Sequence, residues 1–109
     1  ENPKNGAMVT FLGLVRETER GLPIRSMTYE AYQGMAEREL GKIVRETQDR
    51  WNVEVAVQHR TGKVTAGSPS LIVACGAVHR DEAFEACRFV VDEIKARVTI
   101  WKVEYEWAD

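Results

Sequence analysis

Cysteine is scarce in this chain. Cys75 and Cys87 are the only two in 109 residues, they form no Cys-x-x-Cys pair, and no histidine-rich tract accompanies them. A metal site recognisable by ligand spacing is therefore excluded, and no cofactor is expected. Both cysteines stand in apolar runs, LIVACGAV and FEACRFVV, and read as reduced core residues of a cytosolic protein. No stretch approaches about 18 consecutive apolar residues and no secretory leader opens the sequence, so neither a spanning helix nor export is expected. A basic excess is missing as well: 15 Lys and Arg face 17 Asp and Glu, for a net charge of -2. Without a global positive field, nucleic acid and anionic membrane are poor partners, and an anionic ligand has to be met by a local cluster of cations. The chain also lacks a P-loop, a GxGxxG turn and a defensible Ser-His-Asp arrangement.

What is present suits one soluble domain. A hydrophobic fraction of 44% with 29% charged residues supports a single core at this length. AMVTFLGLV (7–15) reads as a strand closed by Arg16, and ETERGLP as a loop. IRSMTYEAY (24–32) alternates as a half-buried strand with one irregularity near Ser26. After Gly34, apolar positions recur at three and four from Met35 to Trp51, the pattern of an amphipathic helix. VEVAVQH (53–59) alternates with Val53, Val55 and Val57 on one face, and residues 60–70 read as a turn-rich connection. LIVACGAV (71–78) suits a central strand buried on both faces. A second helix runs to about Ala96, with Phe84, Cys87, Val90, Val91 and Ile94 expected on its buried stripe. The last strand covers 99–107, with Lys102, Glu104 and Glu106 sharing a face and Trp51, Trp101 and Trp107 serving as core or interface anchors. The expected architecture is α+β, in the order β-β-α-β-β-α-β, with two helices on one side of a mixed or antiparallel sheet.

The residues able to carry chemistry stand at strand ends and helix termini. Arg16 ends the first strand, His79 and Arg80 end the central strand and open a helix, and Lys95 and Lys102 bracket the entry to the final strand. Each has an ordinary structural explanation. A strand-end arginine is commonly a solvated charge, and a His-Arg pair at a helix start is commonly a cap or an ion pair. Lys95 suits the negative end of a helix dipole, and Lys102 could pair with Glu104 or Glu106. His59 and Arg60, before a Thr-Gly turn, read as structural. Together, however, Arg16, His79, Arg80, Lys95 and Lys102 suggest a pocket of fixed positive charge and two amines, suited to a phosphorylated and multiply polar substrate.

At this point the sequence resembles the family of the large, catalytic subunit of molybdopterin synthase, over nearly its whole length (1–109). The resemblance is carried by GAMVTFLGLVR (6–16), MTYEAYQGMAERELGKIV (27–44), HRTGKV (59–64), VHRDEAFEACRFVVDEIKAR (78–97) and IWKVE (100–104). It implies a hammerhead-type α+β domain that pairs with itself and with a small ubiquitin-like sulfur carrier ending in Gly-Gly, giving a heterotetramer around a homodimer. It implies, too, transfer of sulfur from the carrier's thiocarboxylate to cyclic pyranopterin monophosphate, forming the dithiolene of molybdopterin in molybdenum cofactor biosynthesis. Lys95 and Lys102 would be the catalytic lysines, and Arg16, His79 and Arg80 the substrate anchors. The chain departs from the family in two ways. Thr99 stands where the family often has proline, and the family's longer N-terminal helix and C-terminal tail are missing. Since the chain opens on Glu1, its ends are expected to be trimmed. The rival expectation is a non-catalytic binding homologue that keeps the anion pocket.

Overall fold

The structure, a computed structural model, describes residues 3–108, the side chain of Trp101 excepted, so the anchoring role expected of that tryptophan lies outside the described residues. The elements run β1 (Ala7–Leu14), β2 (Thr18–Glu19), β3 (Leu22–Ala31), α1 (Gln33–Arg50), β4 (Val53–His59), β5 (Gly62–Thr65), β6 (Pro69–Ala77), α2 (Arg80–Arg97) and β7 (Ile100–Trp107). The α+β class holds, and every strand pairing is antiparallel. The single expected sheet is divided in two. One sheet has the order β1-β6-β4; in the other, β3 is central, with β7 along one side and β2 and β5 along the other. The two additional strands fall in segments that read as loops. β2 and β3 are joined by Arg20 and Gly21, whose φ values of 53° and 77° give the tight left-handed turn that matches strand twist.

Alternation explains the first sheet. Ala7, Val9 and Phe11 of β1 face the helices together with Val53, Val55 and Val57 of β4, while Met8, Leu12 and Leu14 point to the open face. β6 is central in order, yet its second face is only half-buried, because both helices lie on the same side. The α2 stripe also differs from expectation. Ala83, Ala86, Cys87, Val90 and Ile94 are buried, whereas Phe84 is 60% exposed. Small alanines let the helix backbone approach the sheet, which turns the large ring outward. α1 begins at Gln33, so Gly34 lies inside its first turn; Ala36, Ile43 and Thr47 are buried while Met35 is exposed.

The hydrophobic interior is divided like the sheets. The larger core joins both helices to the first sheet. A smaller one gathers Val15, Ile24, Met27 and Val64, with Tyr29, Ala66 and Tyr105 packed against it. Val15 stitches the two halves together: its N–H donates to the Ser68 carbonyl at 3.0 Å, and its carbonyl accepts from the Gly67 N–H at 2.8 Å.

Candidate functional site

A cleft of about 400 Å³ opens along the seam between the two cores. Its apolar floor is built from Phe11, Leu71, Ile94 and Val98 on one side and Ile24, Met27 and Tyr29 on the other. Into it come Arg16 just past β1, Lys95 from the last turn of α2, and Lys102 from β7. Three separate elements thus deliver three of the residues singled out in the sequence to one cavity.

The local structure explains why these amines face a cavity rather than a carboxylate. In the last turn of α2, Arg97 takes up the neighbouring acids. Its Nη1 and Nη2 donate to the two carboxylate oxygens of Glu46 on α1 at 2.8 Å each, Nη1 donates to Glu93 at 3.2 Å, and Glu39 lies 3.5 Å from Nη2. The Arg97 guanidinium holds the Glu46 carboxyl below its ordinary range, and those carboxylates raise Arg97 in turn. In β7 the register against β3 slips between Thr28, opposite Glu104, and Tyr29, opposite Lys102, leaving Val103 as the extra residue of a bulge. Such a bulge re-aims the side chains that follow. It separates Lys102 from Glu106, which pairs instead with Lys63 at 2.5 Å and accepts from the Ser26 hydroxyl at 3.5 Å. The charge pairing expected for Lys102 with Glu106 is therefore taken by Lys63. A second slip, at Arg25, accounts for the irregularity read near Ser26. Among the described residues, Arg16, Lys95 and Lys102 have no ion-pair partner.

His79 and Arg80 do not join this cleft. His79 is the N-cap of α2 and Arg80 its first residue, and both line a separate open depression with Gly6, Val78 and Asp81. Lys95 stands at the other end of the same 18-residue helix, which spans roughly 27 Å at about 1.5 Å per residue. In one chain, the two clusters cannot hold the same small molecule.

The cleft holds two residues that read as structural in the sequence, His59 and Arg60. Arg60 is fixed by its backbone N–H, which donates to the Ser70 carbonyl at 2.9 Å, while its Nη1 reaches the Pro69 carbonyl at 3.5 Å. A signal for His59 was present: it continues the Val53, Val55, Val57 alternation, so it stands on the helix-covered face of β4 rather than on the solvent face. Among the described residues the lining contains one carboxylate, Glu19, whose negative charge, after burial, contributes to raising the Tyr105 phenol above its ordinary value. The cysteines lie away from the cleft. Cys75 and Cys87 are free thiols buried in the larger core, and burial pushes Cys75 up to about 12, far from a reactive thiolate.

Fold and site together define a small α+β domain with a cation-lined, apolar-floored cleft, equipped to take a polar anion of metabolite size. The family model described as MoaE protein matches residues 1–97, and the chain belongs to that family. It is 48% identical over 100 residues to a molybdopterin synthase catalytic subunit of Oryza sativa subsp. indica, covering 91% of this chain and 52% of that protein. Over 105 residues it is 41% identical to a molybdopterin synthase catalytic subunit of Pseudomonas aeruginosa, covering 95% of this chain and 70% of that one. The crystal structure of molybdopterin synthase from Staphylococcus aureus matches with a TM-score of 0.92 at 34% identity, over 100% of this chain and 80% of that chain. This chain spans about half the length of its rice relative. No helix among the described residues is long and apolar enough to cross a membrane.

Proposed function

We propose that this chain is the catalytic core of a molybdopterin synthase in the cytoplasm. It transfers sulfur from the thiocarboxylated Gly-Gly end of a small ubiquitin-like carrier to cyclic pyranopterin monophosphate, forming the dithiolene of molybdopterin. The observation that carries this reading is the meeting of Arg16, Lys95 and Lys102, unpaired, in a single cleft of about 400 Å³. A phosphate ester needs fixed donors, and guanidinium and ammonium groups supply them in a partly apolar site where their charge is less screened. Arg16 and Lys102 hold the phosphate. Lys95, at the end of α2, moves a proton and steadies charge on the carrier's acyl group as its bond to sulfur breaks. No cysteine of this chain enters the relay, because the carrier brings the sulfur.

A homodimer forms the centre of the assembly, with one carrier on each protomer. The open face of the first sheet supports self-association, since Met8, Leu12 and Leu14 are 49%, 50% and 54% exposed beside half-buried Ile72. His79 and Arg80 contact substrate in this reading only where a second copy carries its α2 N-terminus to the cleft.

The test combines this protein, thiocarboxylated carrier and cyclic pyranopterin monophosphate, with molybdopterin followed as its fluorescent oxidised derivative. Product from the wild type, reduced 100-fold or more in Lys95→Ala, is the expected result. Binding of both partners with no product from the wild type would instead define a non-catalytic binding homologue.

A further inference from the structure

His59 has no role in the chemistry described so far, yet its side chain is arranged in an unusual way. It lines the cleft together with Arg16, Arg60, Lys95 and Lys102. Its Nδ1 is closed off from solvent and has no hydrogen-bond partner. Buried polar atoms in folded proteins almost always have a partner, so one without needs a physical reason. The two ring tautomers differ sharply in what they leave stranded. With the proton on Nδ1, a buried N–H would have nothing to donate to, at a desolvation cost of about 1–3 kcal/mol. With the proton on Nε2, Nδ1 is a bare nitrogen and the ring's only N–H sits on the side that is not closed off.

The neighbours decide what that N–H would meet. Arginine and lysine side chains donate and never accept, and four of them line the same cleft. A ligand drawn there is rich in acceptors. Glu19 is the one carboxylate lining the cleft among the described residues, so the four cations remain in excess. From this geometry we infer that His59 is a ligand-contacting residue of the cleft, whose Nε2–H donates to a phosphate oxygen of the bound substrate. Its buried Nδ1 fixes which nitrogen faces the ligand, and its place at the end of β4, opposite Leu71 of β6, fixes the ring on a rigid element. His59 thereby adds a directional donor to a set of flexible charges, which favours a phosphate held in one orientation over an anion of the same charge and different shape. The identity of the substrate rests on the function proposed above; the contact itself requires only a phosphate oxygen.

Two arms test the contact. In the first, inorganic phosphate is titrated into the wild-type protein while the ring nitrogens of His59 are followed by long-range nitrogen–proton NMR. The expected result is the Nε2–H tautomer in the free protein and a saturable shift of Nε2, with the same midpoint as shifts at Lys95 and Lys102. A ring that stays unchanged while the lysine signals move would overturn the contact. The second arm uses cyclic pyranopterin monophosphate with three variants. His59→Gln keeps an N–H near the Nε2 position and should stay within about threefold of the wild-type KM, the lost contact in His59→Leu raising it about 10-fold. His59→Asn, which places its amide nearer the Nδ1 position, should resemble His59→Leu. Equal KM values for all three variants would refute the assignment, whereas a common loss of thermal stability in all three would show a packing role instead. Should the wild type make no molybdopterin while His59 still responds to phosphate, the enzyme assignment fails and the contact stands.

Discussion

Thr47 is fully buried on α1, and its hydroxyl donates to the Ile43 carbonyl one turn back at 2.6 Å. Replacing it with valine keeps the shape and removes the hydroxyl. The lost hydrogen bond is worth about 0.5–1.5 kcal/mol net, and the carbonyl keeps its helical partner, the Thr47 N–H, so no acceptor is stranded. That figure already includes the desolvation of the hydroxyl; against it stands the burial of the methyl that valine puts in its place, about 0.8 kcal/mol. The two nearly cancel, so Thr47→Val should lie within about 1 kcal/mol of the wild type. Thr47→Ser retains the hydroxyl but deletes a buried methyl, which costs about 0.5–1.5 kcal/mol in transfer and cavity energy. Urea denaturation followed by helical circular dichroism, with a shared slope for all three proteins, gives the ranking. If the valine variant lost more than about 2 kcal/mol while the serine variant lost nothing, the hydroxyl would dominate, and the reasoning about packing at this helix would be wrong.

Other consequences can be measured directly. Cys75 has its ordinary value of 9.0 raised to about 12, so the folded protein keeps a proton that the unfolded chain releases in that interval. Stability should therefore be fully present below pH 9 and fall as pH rises towards 12, a slope seen in urea midpoints and flattened in Cys75→Ala. A Cβ at Gly6 would stand 2.4 Å from the Val78 carbonyl oxygen, so Gly6→Ala has to displace backbone; a loss of about 1–3 kcal/mol is expected by thermal melting. Lys102→Ala should lower kcat/KM for molybdopterin formation 100-fold or more, while Lys63→Ala, which removes only the exposed partner of Glu106, should leave activity within about twofold.

Much of the fold was legible because the chain advertises it through period. The strict alternation of Val53, Val55 and Val57 and the three-and-four spacing of Ala36, Ile43 and Thr47 specify faces without reference to anything distant. Two short strands were not legible: β5 (Gly62–Thr65) is four residues long, and β2 (Thr18–Glu19) two, and each is strand only because β3 lies beside it. Phe84 fits the spacing of Cys87, Val91 and Ile94, yet it stands at the edge of the stripe, whose centre runs through Ala83 and Ala86. The gathering of Lys95 and Lys102 was legible from their places at a helix end and in the following strand, and the resemblance implied it as well; its cause was not, since it depends on Arg97 drawing off the acids and on a bulge at Val103. That α2 holds His79 and Arg80 away from Lys95 was legible in the helix itself, whose rise separates its two ends, and the expectation of a single pocket passed over it.

The separation of the interior into a large core and a small one has a dynamic consequence. With a radius of gyration of 15.4 Å against roughly 13 Å for a compact chain of this length, the molecule is elongated, 49 × 27 × 21 Å. The four buried residues of the smaller core, Val64 among them, cannot hold the second sheet as firmly as the helices hold the first, so β3, β5 and β7 should open more often and exchange their amide hydrogens sooner than β6. Because the cleft is walled by both cores, whatever fills it acts as mortar between them. An occupied seam would slow exchange in the weaker sheet first, making hydrogen exchange there a sensitive gauge of occupancy, even for a ligand that never touches those amides.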